Sequence, residues 1–206
     1  MTHSDDEGLV LPPKLAPIQV VIIPIPKPNG VLKEECAKIK AELEGLGISV
    51  KVDNDKKKRP GFKFAEYEML GVPVRIGIGA RDLEKNQVEV ARRDTKEKMN
   101  LSRQGIGEQI KQLLVDIQDN LLARAKQARE DRTSIVNSME EFEEVLESKG
   151  GFILAHWDGT TETELAIKEK TKATLRCIPL EGETEEGLCV FSGKKSIQRV
   201  LFAKAY

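Results

Sequence analysis

The densest reactive stretch of this 206-residue chain runs from Lys56 to Leu83. Lys56, Lys57, Lys58 and Arg59 stand in a row, followed by Pro60-Gly61 and the aromatic-basic-aromatic triplet Phe62-Lys63-Phe64. Ammonium and guanidinium groups neutralise phosphates, and ring faces are where unpaired bases stack. Glu66, Glu68 and Asp82 add acceptors for base amino groups, while Arg75 and Arg81 add planar forks that match the O6 and N7 edge of guanine. Pro60-Gly61 lets the backbone turn sharply and lie close to a ligand. These are the parts of a reader of single-stranded RNA. The same run also reads as a solvated loop, with Phe62 and Phe64 in the core and the acids balancing the bases. Arg75 is harder to fit to that second reading. It alternates with Val74 and Ile76, so it points to the other face of its strand and is expected to be exposed.

Other chemistry is poorly supported. GIGARD does not make a glycine-rich phosphate cradle of either common spacing. His3 and His156 have no serine or cysteine partner at a spacing that implies a nucleophilic triad.

The elements that must position the cluster follow from periodicity. Ile18–Ile25 is a β-branched run suited to a central strand covered on both faces. Leu32, Cys36, Ile39, Leu43 and Leu46 fall at helical spacing, which predicts a helix over Lys33–Glu44, closed by Gly45 and Gly47. Gly47–Asp53 alternates as a second strand, and Gly61–Leu70 is a short helix. Val72–Gly79 is a third strand with Val72, Val74, Ile76 and Ile78 on one face. A helical turn follows, then a fourth strand, Gln87–Arg93. This order implies an α/β fold with a mixed sheet. From Ile106 a long helix carries Ile110, Leu113, Leu114, Ile117, Leu121 and Leu122 on one face and ends near Asp131. Ser138 and Glu141 resemble a capping box for Met139–Leu146. Phe152–Trp157 is a strand, Thr160–Lys170 a helix, and short strand-like pieces follow to Tyr206. We therefore expect a patternless linker over 1–16, a first domain over 17–131, and a smaller α+β domain over 132–206.

A formal net charge of −1 means that any case for a nucleic-acid partner rests on local clustering. No run approaches the ~20 apolar residues of a membrane span. The acidic start and three cysteines, Cys36, Cys177 and Cys189, point to a reducing compartment, so a cytoplasmic location is expected. Cys36 lies on the apolar helix face and reads as core.

PGFKFAEYEMLGVPVRIGIGARDLEKNQVEVARR closely resembles the anticodon-binding domain of the prolyl-tRNA synthetase family. THSDDEGLVLPPKLAPIQVVIIPI resembles the segment that follows the third class II motif. TLRCIPLEG, GLCVFSGK and FAKAY resemble the C-terminal domain of the archaeal- and eukaryotic-like branch. The resemblance covers essentially the whole chain and implies the mixed-sheet anticodon-binding fold of class II aminoacyl-tRNA synthetases. It further implies that Glu68, Arg75 and the Arg81-Asp82 pair read the two guanines of the proline anticodon. One carboxylate can accept guanine N1–H and N2–H together, and an arginine fork can donate to O6 and N7. The family often has lysine where Arg81 stands. A further basic contact falls in the window Lys96-Glu97-Lys98, with Lys96 taken as the candidate and Lys98 not distinguished from it. Arg59, Phe62 and Lys63 are implied for backbone contact and shaping. The class II motifs that hold ATP and proline have no counterpart here. The chain is therefore expected to be a C-terminal part that binds tRNA-Pro as a monomer and does not activate proline. ATP, magnesium and homodimerisation would belong to the catalytic domain, and His3, Asp5 and Asp6 at most border its active site.

Relatives with zinc use four cysteines in the C-terminal domain. Here Trp157 and Ser192 stand at two of those positions, leaving Cys189, Cys177 and His156, which is short of closed tetrahedral ligation. Zinc is not expected, and Trp157 is expected to fill the vacated volume. In the family the terminal carboxylate, here of Tyr206, reaches back toward the aminoacylation site. A second hypothesis keeps the anticodon fold but makes the chain a stand-alone module that binds a protein.

Overall fold

The central strand of the first half is hydrophobic on both sides because it is buried on both sides. The structure, a computed structural model, describes residues 3–25, 30–180 and 184–205; the expectation for Tyr206 lies outside the described residues. The chain divides into two compact units between Ala123 and Arg124.

The first unit opens with a two-residue ladder, β1 (Ser4–Asp5) against β2 (Gly8–Leu9). This segment was expected to carry no strand. The ladder is too short to leave a periodic signal, and packing rather than propensity holds it. Then come β3 (Val20–Ile25), α1 (Gly30–Gly45), β4 (Val50–Val52), α2 (Pro60–Met69), β5 (Val74–Gly79), α3 (Ala80–Glu84), β6 (Gln87–Arg92), β7 (Lys98–Ser102) and the greater part of α4 (Ile106–Asp131), within which the division falls. The sheet order is β4-β3-β5-β6-β7. β3 is parallel to β4 and to β5, with α1 and α2 in the connections, and β5, β6 and β7 run antiparallel.

Alternate residues of β3 serve two cores. Val20 and Ile22 join Val74, Ile76 and Ile78 beneath α1 and α4, while Val21 and Ile23 join Tyr67 and Val72 on the α2 side. Val72 was expected on the face of Val74. It lies on the opposite side because the strand starts only at Val74, after Pro73. α1 buries Leu32, Cys36, Ile39 and Leu43. It is closed by Gly47 at φ +78°, with Ile48 N–H returning to Leu43 O at 3.1 Å. Strand β7 went unread because KMNLS offers only Met99 and Leu101 to the core. On α4 the apolar face continues to Leu121, and Leu122, expected on that face, is exposed.

The second unit comprises β8 (Thr133–Ile135), α5 (Met139–Ser148), β9 (Phe152–His156), α6 (Thr161–Thr171), β10 (Ala173–Cys177), β11 (Gly187–Leu188), β12 (Lys195–Ser196) and β13 (Arg199–Lys204). Its main sheet has the order β10-β13-β9-β8. Phe142 of α5 and Phe202 of β13 meet edge-to-face at 5.4 Å in its core. Ser138 caps α5 by accepting from Glu141 N–H at 3.2 Å, and Glu141 returns to Asn137 N–H at 2.8 Å. Among the described residues no helix is long and apolar enough to cross a membrane.

Candidate nucleic-acid interface

α2 begins at Pro60, whose fixed φ and missing N–H suit a first helical turn. It ends at Gly71, φ +72°, with Val72 N–H on Tyr67 O. Between these stops its residues sort by helical period. Lys63 and Tyr67, four apart, face the sheet, while Phe62 is 59% exposed and Met69 is exposed.

That sorting corrects the expectation for Lys63. Its ammonium is buried and lies 2.9 Å from the Asp53 carboxylate and 3.0 Å from the Asp53 carbonyl oxygen. Asp53 also accepts from Tyr67 OH and from Asp55 N–H. Burial tends to raise the Asp53 pKa, but the Lys63 ammonium and these donors hold it below the usual carboxylate range. Lys63 is thus paired inside the fold rather than displayed as a free phosphate donor. Phe62, read as core in the solvated-loop alternative, is instead outside, with the Lys58 ammonium 5.3 Å from its ring centroid. Lys58 also grips both oxygens of Glu66 at 2.6 and 2.7 Å. Lys56, Lys57 and Arg59 are exposed.

Arg75 does point away from Val74 and Ile76, but it is not exposed. That face of β5 is roofed by α2, so the guanidinium lies 3.8 Å from the Phe64 ring centroid with only 4% of the residue accessible. Nη1 reaches Glu89 at 3.3 Å, whereas Nε and Nη2 are buried without a hydrogen-bond partner. Glu68 and Arg75 border one recess of only about 10 Å³, which holds no base without local opening, together with Tyr67, Val72, Ala91, Arg92 and Arg93. Both members of the pair singled out from sequence border it, with Arg75 beneath the surface.

The other candidates sit apart from that recess. Arg81 is exposed on α3, and Asp82 accepts from Gly79 N–H at 2.8 Å, capping the turn. Lys96, at φ +62° in the β6–β7 turn, pairs with Glu7 at 2.7 Å. Sequence reasoning missed Arg93, which is buried and donates through Nε to Glu68 O and through both Nη atoms to Asp5. It also missed the stacking of Phe64 on Arg75. The only signals were the doubled arginine in VARRD and the i, i+4 register of Lys63 with Tyr67.

Known protein families match this chain in two blocks. The family model for the anticodon binding domain matches residues 19–113, and that for the C-terminal domain of prolyl-tRNA synthetase matches residues 139–206. The chain belongs to the prolyl-tRNA synthetase family. Proline–tRNA ligase of Phocaeicola vulgatus is 57% identical over 212 aligned residues, covering all of this chain and 42% of that protein. The Porphyromonas gingivalis enzyme is 56% identical with the same coverage. A crystal structure of prolyl-tRNA synthetase from Cryptosporidium parvum, complexed with L-proline and AMP, covers the whole chain and 44% of its own. It aligns with a TM-score of 0.93 at 33% identity. The chain thus spans about two fifths of the length of the curated relatives it matches.

The residues at the family's zinc position do not fit a metal. Among the described residues, no three His, Cys, Asp or Glu side chains converge. His156 Nδ1 lies 3.1 Å from Ser196 Oγ, and Gly187 packs so closely that a Cβ there would be 2.3 Å from His156 Nε2. His156 Nε2 is buried without a hydrogen-bond partner, with only the Glu185 carboxylate 3.8 Å away, so among the described residues no set of four ligands surrounds it. Cys189 is buried and Cys177 exposed. Ser192 instead donates to Asp158 at 2.7 Å, and Asp158 also accepts from Thr160 and Thr163. Burial works to raise the Asp158 pKa, yet these hydrogen bonds lower it to about 2. Trp157 packs against the core of the second unit and donates from Nε1 to Thr160 O.

Proposed function

We propose that this chain supplies anticodon recognition for a proline–tRNA ligase, which joins proline to tRNA-Pro with ATP. The supporting observation is the recess that holds Glu68 and Arg75. A buried guanidinium with two unpartnered nitrogens is costly, and an acceptor that reaches them as the recess opens removes that cost. Guanine has the complementary edges. Its O6 and N7 accept from an arginine fork, and its N1–H and N2–H donate to a carboxylate such as Glu68.

The remaining candidates divide the labour. Arg75 and Gly79 are about 13 Å apart along β5 at ~3.3 Å per residue, so Arg81 and Asp82 meet a different nucleotide from Arg75. Phe62 offers an exposed ring face for a splayed base, beside the phosphate donors Lys56, Lys57 and Arg59. The exposed Lys96–Glu7 pair is weak in water, so an RNA phosphate can displace Glu7 from it. Lys63 has no direct part. We place the chain in the cytoplasm with its tRNA, as a monomer, a state that sedimentation would check.

Filter binding of tRNA-Pro and of a copy with both anticodon guanines replaced tests the reading. Tighter binding of the cognate RNA is expected, falling with salt. Equal affinity for both would refute guanine reading.

A further inference from the structure

Contacts from the N-terminal hairpin converge on one turn of α2, the turn that carries Glu68. Gly8, at φ +131°, lies so close to Met69 that a Cβ there would be 2.6 Å from Met69 Cα. Gly71 is pressed against Leu9 in the same way, at 2.7 Å. Leu11 N–H reaches Gly71 O at 3.3 Å. These contacts grip the end of the helix from outside.

Arg93 completes the grip from inside. Its Nε donates to Glu68 O at 2.8 Å, and its two Nη atoms donate to the two Asp5 oxygens at 2.8 and 2.6 Å. A cation on the last carbonyls of a helix is favourable, and a bidentate arginine–carboxylate pair fixes both partners in angle as well as distance. Arg93 also lines the recess shared by Glu68 and Arg75. Three carboxylates act on this guanidinium by charge, Asp5, Glu7 and Glu68. Asp5 takes both of its Nη atoms.

We propose that Asp5, acting through Arg93, is a positioning residue for base reading: it anchors the α2 turn that carries Glu68 and keeps the Arg93 fork off the Glu68 carboxylate. The inference rests on the reading that Glu68 accepts from a guanine. Without the Asp5 charge, the buried arginine retains a full positive charge and is drawn to the carboxylates that remain, Glu7 and Glu68, of which Glu68 stands on the helix turn that Arg93 already contacts. Glu68 is then paired within the protein and its oxygens are lost to the base. Base contacts tolerate displacements of only about 0.5 Å, so the effect falls on discrimination rather than on general affinity.

The test is a double-mutant cycle on the full chain with two anticodon stem-loop RNAs, one carrying the proline anticodon and one with both guanines changed to adenine. Asp5→Asn keeps the shape of Asp5 and removes its charge; Asp5→Ala removes both. Each should lower the cognate-to-altered affinity ratio about tenfold, the size of one good base contact, with the salt dependence unchanged because no phosphate contact is lost. In a Glu68→Ala background neither substitution should change the ratio further. A wild-type ratio in D5N, measured where melting shows the chain folded, would overturn the inference while a loss in E68A upheld the reading. An equal loss on both backgrounds would likewise overturn it, since Asp5 would then act independently of Glu68. A wild-type ratio in E68A would refute the reading by Glu68, and the inference with it.

Discussion

Replacing Lys63 by alanine separates two accounts of the basic cluster. If Lys63 met RNA phosphate, its loss would weaken binding and spare the fold. The structure places the side chain 5% exposed against an Asp53 side chain 9% exposed, so the first effect should be on stability. Removing one partner of a buried pair costs ~3–5 kcal/mol because the other charge is stranded. Tyr67 OH and Asp55 N–H still donate to Asp53, which puts the loss at the low end, about 3 kcal/mol. With urea slopes of ~1–3 kcal/mol per molar, the midpoint of the first unit falls by about 1–3 M. Hydrogen exchange in β3 reports that unit. Trp157, the single tryptophan, reports the second and should be unmoved. The sign with pH is fixed by Asp53, whose folded pKa is depressed. Its stabilisation is full above the ordinary carboxylate range and is lost as pH falls through the folded value. The gap between wild type and K63A should therefore be widest at neutral pH and narrow below about pH 4. An unchanged β3 exchange rate, with the salt slope of RNA binding reduced by about 0.7, would refute this account and return Lys63 to the interface.

Phe62→Ala should weaken binding of the anticodon loop by about 1–3 kcal/mol in a filter assay and leave the melting temperature unchanged, because the ring is exposed. Asp158→Asn should lower the stability of the second unit by about 1–2 kcal/mol at pH 7, after allowance for its partial exposure. Because the folded pKa is near 2, that gap should persist down to about pH 4 and close by about pH 2, followed by Trp157 fluorescence in urea. Gly8→Ala should destabilise the first unit by more than about 1 kcal/mol, seen as faster exchange at Met69–Gly71, since both its φ and its contact with Met69 exclude a Cβ.

Much of the scaffold was legible because its signals are local. The β-branched run of β3, the four-residue spacing in α1 and the Ser138 cap each state their geometry within a few residues. Glu68 and Arg75 came from residue type and family resemblance, and they do share a recess. Lys63 was misplaced because charge was weighed above register; its spacing to Tyr67 already set it on the buried face. Arg75 was expected in solvent because alternation tells which face a residue takes, not what covers that face.

The sequence by itself determined the helices and the strongly periodic strands, and the supply of carboxylates and guanidinium groups near α2 and β5, but not the short strands β1, β2, β7 and β8. Periodicity and residue chemistry are properties of neighbours along the chain, so they survive without coordinates. Only the tertiary structure decided which charges are spent inside. Asp53 and Lys63, ten residues apart, and Asp5 and Arg93, eighty-eight apart, are joined across separate elements. Whether a charged side chain is free for a ligand depends on the burial and partners that packing supplies.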